Sequence, residues 1–100
     1  MRAVRDWVVA ADDRTGAFEV AALFAAVVGP TLVTVGSPGA GSCVVDIATR
    51  SLSAQDAAAR AAVVEAPSSR WTALKIGSTL RGQWAAELRA RRAAGGRRIV

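Results

Sequence analysis

The stretch WVVAADDRTGA, residues 7–17, decides the fold class of this 100-residue chain. Its first five residues are apolar without the alternation of a half-exposed strand, so they predict a strand that is buried on both faces. Asp12 and Asp13 end that strand, and Asp13 or Thr15 is suited to cap the N-terminus of a helix. A buried strand followed at once by a helix is typical of an α/β fold with a parallel sheet.

The same alternation continues along the chain. Helical spacing of apolar residues from Ala17 onward predicts a helix that Gly29 and Pro30 end. Further strands are predicted at residues 31–35, 43–47 and 71–76, and a fifth begins at 97–100. Two more helices are predicted, one from the capping box at Ser53 and Asp56 to about Ala66, and one that starts within residues 78–81 and carries Leu80, Trp84 and Leu88 on one stripe. The order β-α-β-β-α-β-α-β therefore predicts a three-layer α/β fold, with a mostly parallel sheet of four to five strands and helices on both faces, Rossmann-like but incomplete.

One connection fits this pattern poorly. The loop GSPGAGS, residues 36–42, joins two predicted strands, but parallel neighbours usually need a dozen or more residues between them. We therefore expect those strands not to be adjacent, or one of them to be an edge strand that runs the other way. The glycine spacing resembles a phosphate loop, but Ser42 stands where the lysine belongs, so the segment is interpreted as a turn.

Composition narrows the function classes. The net charge is +5, and five of the thirteen basic residues come late, at positions 89, 91, 92, 97 and 98. Such a tail is typical of nucleic-acid binding or of helix C-termini, and the scarcity of aromatic residues for base stacking argues against nucleic acid. The single cysteine, Cys43, excludes an internal disulfide and is interpreted as a small buried side chain.

The N-terminal half contains no predicted targeting or membrane segment. Asp12 and Asp13 interrupt the first apolar run, which argues against a signal peptide. Residues 16–35 are apolar, but Glu19 and the Gly29-Pro30 pair interrupt them, which argues against a membrane span. The expected location is the cytoplasm.

Three polar clusters are predicted to lie at one edge of the sheet. They comprise Asp12, Asp13, Arg14 and Thr15 after the first strand, Asp46, Thr49, Arg50 and Ser51 after the third, and Lys75, Ser78, Thr79 and Arg81 after the fourth. In open α/β sheets, ligands bind beyond the carboxyl ends of the strands. Together with helix N-termini, these groups suit a small ligand that carries hydroxyls and a carboxylate or phosphate. Simpler roles remain open: helix caps for the aspartates, Ser78 and Thr79, and a solvated loop position for Arg50.

Three segments resemble one known family. VVAADDRTGAFEVAALFA, VVDIATRSLSAQDAAARA and KIGSTLRGQWAAEL resemble, in order and rough spacing, signatures of the four-carbon acid sugar kinase family. That family typically has ADDLTGA, a strand ending in D-T-x-S-R, and KIDSTLRGN followed by an AEL-type helix. The resemblance runs from residue 7 to residue 100 and concerns the N-terminal, sugar-acid-binding domain.

The resemblance implies a kinase that uses ATP and Mg²⁺ to phosphorylate the terminal hydroxyl of sugar acids of the threonate or erythronate type. Residues 1–100 would be a partial substrate-binding domain, inactive alone. Since the ATP-binding domain lies outside them, no cofactor or metal is expected on this chain. By resemblance, Asp12 and Asp13 are catalytic, and one of them orients or accepts the proton of the attacking hydroxyl. The implied substrate-binding residues are Arg50, Lys75, Ser78, Thr79 and Arg81, with Arg81 suited to a bidentate grip on the carboxylate.

The sequence departs from the family pattern at three positions. Arg14 replaces a leucine, Gly77 an aspartate and Gln83 an asparagine, which puts substrate choice and activity in question. Two other functions remain open. One is a non-catalytic α/β interaction module, or a degenerate remnant, that pairs with another chain or a second copy through its open sheet edge. The other is a basic nucleic-acid binder. For the kinase fragment, the expected partner is instead a missing ATP-binding domain or a partner chain.

Overall fold

The structure, a computed structural model, describes residues 5–65 and 69–95. Their elements are β1 (Arg5–Ala11), α1 (Arg14–Val28), β2 (Leu32–Val35), β3 (Cys43–Asp46), α2 (Ala54–Glu65), β4 (Ser69–Lys75) and α3 (Trp84–Gly95). This order matches the predicted alternation, and the predicted strand at residues 97–100 lies outside the described part of the chain.

The four strands form one parallel sheet in the order β2-β3-β1-β4. Successive residues of β1 point to opposite faces, as the pleat requires. Val8 and Ala10 pack in a cluster with residues of α2, whereas Val9 and Ala11 pack against α1. Helix α3 lies beside α2. The predicted α/β architecture with helices on both faces is therefore confirmed.

The prediction for the connection between β2 and β3 was wrong. The two strands are adjacent and parallel, with Leu32 opposite Cys43 and Val35 opposite Asp46. Seven extended residues span up to about 23 Å, and a four-residue strand is only about 13 Å long, so the loop has enough length to run back along β2. A Cβ on Gly39 would lie 3.0 Å from a Leu32 methyl group, so the returning loop passes close to β2.

Helix α1 begins and ends where its capping residues predict. Asp13 is the N-cap and accepts a hydrogen bond from the backbone N–H of Gly16, and Gly29 at φ 90° is the C-cap. The inward stripe is shorter than predicted. Ala17 and Ala21 are buried, but Val27 and Val28 in the last turn are mostly exposed because the helix rests on the sheet only through its earlier turns.

Helix α3 starts later than predicted, at Trp84. Leu80 has φ 58° and Gly82 has φ 90°, and a helix cannot pass through residues in that left-handed region. Ser78 and Thr79 therefore cap no helix, and Leu80 is half-exposed rather than part of the apolar stripe. Residues 76–83 instead form an irregular segment at the carboxyl end of β4.

Two further sequence-based interpretations concern exposure. Cys43 is fully buried in the core, as predicted. Across residues 5–65 and 69–95, no helix has the length and apolar character needed to cross a lipid bilayer.

Candidate functional site

The carboxyl ends of β1, β3 and β4 meet at one edge of the sheet. Ala11, the last residue of β1, lies opposite Asp46 of β3 and opposite Lys75 of β4. The segments that follow these three strands surround an open cleft of about 340 Å³. Its lining residues are Asp13, Thr15, Gly16, Glu19, Arg50, Lys75, Gly77, Ser78, Thr79 and Arg81. The structure thus brings six of the seven sequence-predicted site residues to one cleft, and the seventh, Asp12, lies directly behind Arg50.

Arg50 is held by both aspartates of the first motif. Its Nη2 lies 3.1 Å from Asp12 Oδ1, its Nε lies 3.4 Å from Asp12 Oδ2, and its Nη1 lies 2.9 Å from Asp13 Oδ2. The hydrogen bond to Asp12, and then the charges of Asp12 and Asp13, raise the pKa of the guanidinium. Arg50 is therefore an anchored part of the cleft wall and not a solvated loop residue.

The two aspartates differ in access. The Asp12 side chain is 2% exposed, and that of Asp13 is 29% exposed and lines the cleft. Asp13 also serves as the cap of α1, since its Oδ1 accepts from Gly16 N at 2.8 Å. The capping role and the cleft role are thus compatible in one side chain. Of the two carboxylates, only that of Asp13 faces the cleft.

Lys75 and Arg81 supply the other cations of the cleft. Lys75 Nζ donates to the carbonyl oxygen of Ile76 at 2.9 Å and lies 3.8 Å from Glu19 Oε2. Arg81 has no acidic partner among the described residues. The cleft therefore carries three cations against two carboxylates, and of the three only Arg81 lacks an acidic partner within residues 5–65 and 69–95.

Two glycines let the segment from residue 76 to 83 approach the Asp12–Arg50 pair. A Cβ on Gly82 would lie 3.2 Å from Asp12 Oδ2, and a Cβ on Gly77 would lie 3.2 Å from Arg50 Nη2. Gly82 also has the positive φ that favours glycine. A Cβ at position 77 would therefore require the Arg50 guanidinium to move by a few tenths of an ångström.

The extra positive charge at Arg14 is neutralised beside the site. Arg14 Nε lies 2.7 Å from Asp46 Oδ2, and Asp46 Oδ1 accepts from the backbone N–H of Ala48. Neither Arg14 nor Asp46 lines the cleft. Asp46, which the sequence placed in a ligand-binding cluster, instead ties α1 to the end of β3.

Sequence reasoning missed one polar residue behind the site, Glu87 of α3. Its side chain is fully buried, and Thr49 Oγ1 donates to Glu87 Oε1 at 2.9 Å. Burial, and to a lesser degree the charge of Asp12, raise the pKa of Glu87; the Thr49 hydrogen bond and the charge of Arg91 act in the opposite direction. The signal was the glutamate of the AEL segment, which lies one turn before Arg91 on the inward stripe of α3.

The late arginines do not form a single basic surface. Arg91 is 4% exposed, and its Nη1 donates to the carbonyl oxygen of Ala73, so it belongs to the packing of α3 on the sheet. Arg89 and Arg92 are exposed, and residues 97 and 98 lie outside the described part. Within the described residues, no three His, Cys, Asp or Glu side chains are grouped to hold a metal ion.

Fold and cleft together define an α/β domain with an open cleft at the carboxyl edge of its sheet, lined by carboxylates, hydroxyls and cations. Residues 7–100 match the family described as the sugar-binding N-terminal domain, and the chain belongs to that family. Comparisons with curated proteins and with solved structures returned no significant match.

Proposed function

We propose that the cleft binds a four-carbon sugar acid of the threonate or erythronate type, as the substrate-binding part of an ATP-dependent sugar-acid kinase. The observation that carries this proposal is the presence of Arg81 on the same cleft as Asp13 and Arg50. A sugar acid needs a cation for its carboxylate and acceptors for its hydroxyls, and this cleft supplies both kinds of group. Membership of the sugar-binding family supports the sugar component of the ligand.

The proposed roles follow from access and contacts. Arg81 grips the carboxylate through its planar guanidinium, with Ser78 and Thr79 as adjacent hydroxyl donors. Asp13 faces the cleft and accepts a hydrogen bond from a substrate hydroxyl, which is the position that a catalytic base needs. Asp12 is buried against Arg50, so its role is to hold Arg50 in place.

The proposal places the nucleotide and its Mg²⁺ outside the described residues, among which no three acidic side chains are grouped to hold a metal ion. The glycine-rich loop between β2 and β3 lacks the lysine of a phosphate loop. We therefore derive no step of phosphoryl transfer from these residues. Phosphoryl transfer requires nucleotide, metal and acceptor to be positioned together, so the proposal assigns nucleotide binding to a separate ATP-binding domain or partner chain.

Arg81→Ala tests the proposal directly. We expect calorimetric titration with threonate and erythronate to show binding to the wild type and a Kd raised about 10- to 100-fold in Arg81→Ala, because a charge-assisted pair is lost. Arg89→Ala is the matched control, since Arg89 is exposed on α3 and does not line the cleft. Equal affinity of Arg81→Ala and wild type, or equal losses in both variants, would contradict the assignment.

A second candidate function is self-association through β2. The observation that favours it is the absence of charged residues around this strand. Residues 20–45 contain no Asp, Glu, Lys or Arg, although the chain carries a net charge of +5. They include β2, which among the described strands pairs only with β3 and exposes about half of Leu32 and Val35. An uncharged edge strand is a template for pairing, and it reduces the local repulsion between two copies of a cationic chain.

Sedimentation equilibrium over a range of protein concentrations tests this second function. We expect a monomer–dimer equilibrium in the wild type and a shift toward monomer in Val35→Lys, which places a charge on the edge strand. Lys at an exposed position that is not on β2, as in Ala59→Lys on α2, serves as the control. A wild type that stays monomeric at every concentration would exclude self-association through β2.

A further inference from the structure

Glu87 is buried at a place where an apolar side chain would avoid the cost of desolvating a carboxyl group. It is 0% exposed, and its Oε1 accepts from the hydroxyl of Thr49, which is also fully buried. Its Oε2 has no hydrogen-bond partner among the described residues. Burying a carboxyl group disfavours folding, and the Thr49 hydrogen bond and the charge of Arg91 offset that cost only in part, so stability alone does not explain a glutamate at this position.

The hydrogen bond between Thr49 and Glu87 connects α3 to the loop that places Arg50 in the cleft wall. Thr49 is the residue before Arg50, and its backbone N–H donates to the carbonyl oxygen of Asp12 at 3.0 Å. The backbone N–H of Arg50 donates to the same oxygen at 3.3 Å. The loop that presents Arg50 is thus held to the first motif by its backbone and to α3 by the Thr49 hydroxyl.

The N-terminal end of α3 is connected to the segment that carries Arg81, which forms another wall of the cleft. Helix α3 starts at Trp84, three residues after Arg81, so the position of α3 sets the position of the segment that carries Arg81. Gly82 in that segment lies beside the Asp12–Arg50 pair, since a Cβ on Gly82 would be 3.2 Å from Asp12 Oδ2 and 3.6 Å from Arg50 Cα. Glu87 lies in the first turn of α3, and its carboxyl group contacts the Arg50 loop through Thr49.

We propose that Glu87 is a positioning residue for the ligand cleft: through its hydrogen bond with Thr49 it fixes the Arg50 loop relative to the Arg81 segment. The inference rests on the proposed function in that the cleft is the site whose geometry is being fixed. Recognition of a small ligand by Arg81 on one side and by the Asp13–Arg50 pair on the other depends on their separation, and displacement by about 1 Å lowers complementarity steeply.

Glu87→Met separates positioning from packing, because methionine has a similar length and carries no buried polar group. If Glu87 served packing alone, Glu87→Met would keep or raise the thermal stability and leave the cleft unchanged. We expect instead a folded variant whose Kd for threonate rises about 10-fold. Glu87→Gln retains an oxygen that accepts from Thr49 and should stay within about twofold of wild type.

Thr49→Val is the second arm and removes the hydroxyl with almost no change of shape. We expect the same loss of affinity as in Glu87→Met, and no further loss in the double variant, since both changes break one interaction. Additive losses, or wild-type affinity in both single variants, would overturn the inference. If Glu87→Met does not fold, Thr49→Val alone carries the test.

A readout without ligand keeps the two proposals distinguishable. The NMR signal of the Arg50 Nε–H group reports its hydrogen bonding to Asp12, and we expect this signal to shift or broaden in Glu87→Met and Thr49→Val but not in Glu87→Gln. If the wild type binds no sugar acid, the proposed function fails, while the Arg50 signal still decides the positioning role. An Arg50 signal identical in all four proteins would overturn it.

Discussion

Arg50→Ala is expected to remove sugar-acid binding almost completely, with a Kd raised at least about 100-fold. Two effects act together. The cleft loses a guanidinium that faces the ligand, and Asp12 and Asp13 lose the cation that both of them contact. Their carboxylates then repel an anionic ligand and leave Arg81 and Lys75 to offset them. Calorimetric titration with threonate, at the protein concentrations used for the wild type, measures this change.

Arg50→Lys is the matched variant for this prediction. Lysine keeps the positive charge, but its single ammonium cannot reproduce the three contacts that the guanidinium makes with two carboxylates. We therefore expect an affinity between those of wild type and Arg50→Ala. Affinity in Arg50→Lys as low as in Arg50→Ala would show that geometry, and not charge, dominates. Wild-type affinity in Arg50→Ala would exclude this cleft as the sugar-acid site.

The largest expected effect on stability is that of Ile47→Ala, which should lower the free energy of unfolding by about 3 kcal/mol. Ile47 is fully buried directly after β3 and packs in the core cluster that contains Ala61 and Val64 of α2. Its backbone N–H donates to the carbonyl oxygen of Ala11, so it lies between the first and second polar clusters. Small neighbours such as alanine have little side chain with which to fill the cavity that the substitution leaves.

Chemical denaturation monitored by tryptophan fluorescence tests this expectation, with Val63→Ala as the control. Val63 lies on α2 and is 47% exposed, so its truncation leaves no closed cavity, and alanine favours the helix slightly more than valine does. We expect the control to remain within about 0.5 kcal/mol of wild type. A loss of less than 1 kcal/mol in Ile47→Ala would mean that the sheet and α2 close around the missing side chain.

The two predictions separate function from folding. Ile47→Ala should lose stability and keep its affinity for threonate when folded protein is assayed, because Ile47 does not line the cleft. Arg50→Ala should lose affinity whether or not its stability changes. The cleft is thus expected to depend on a few charged contacts, while the fold depends on the alanine-rich and valine-rich core beneath it.

Much of the architecture could be predicted from local pattern. The apolar run before Asp12, the capping residues Asp13 and Gly29, and the alternation of strands and helices each act over a few residues. Two predictions about the backbone were wrong, the start of α3 and the connection between β2 and β3. In both, the backbone conformation or path of a loop decided the structure. Leu80 and Gly82 in the left-handed region delay α3, and a seven-residue loop that runs back close to Leu32 joins parallel neighbours.

The site shows the same division. The motifs indicated Asp13, Arg50 and Arg81 because polar residues that follow parallel strands converge at one edge of the sheet. They did not distinguish buried Asp12 from accessible Asp13, and they did not indicate Glu87, whose partner Thr49 is 38 residues away in the chain. The burial and pairing of these side chains depend on which segments pack together, and short-range sequence patterns do not show which segments those are.

The sequence by itself determined the class of fold, the order of its elements and the edge at which polar groups collect, because these follow from the periodicity of apolar residues and the geometry of parallel strands. Only the tertiary structure decided which carboxylate faces the cleft, which arginine has no acidic partner among the described residues, and which glutamate is buried behind them. These features depend on contacts between residues far apart in the chain. The contacts of Arg50 with Asp12 and Asp13 form only when the loop after β3 packs against the loop after β1.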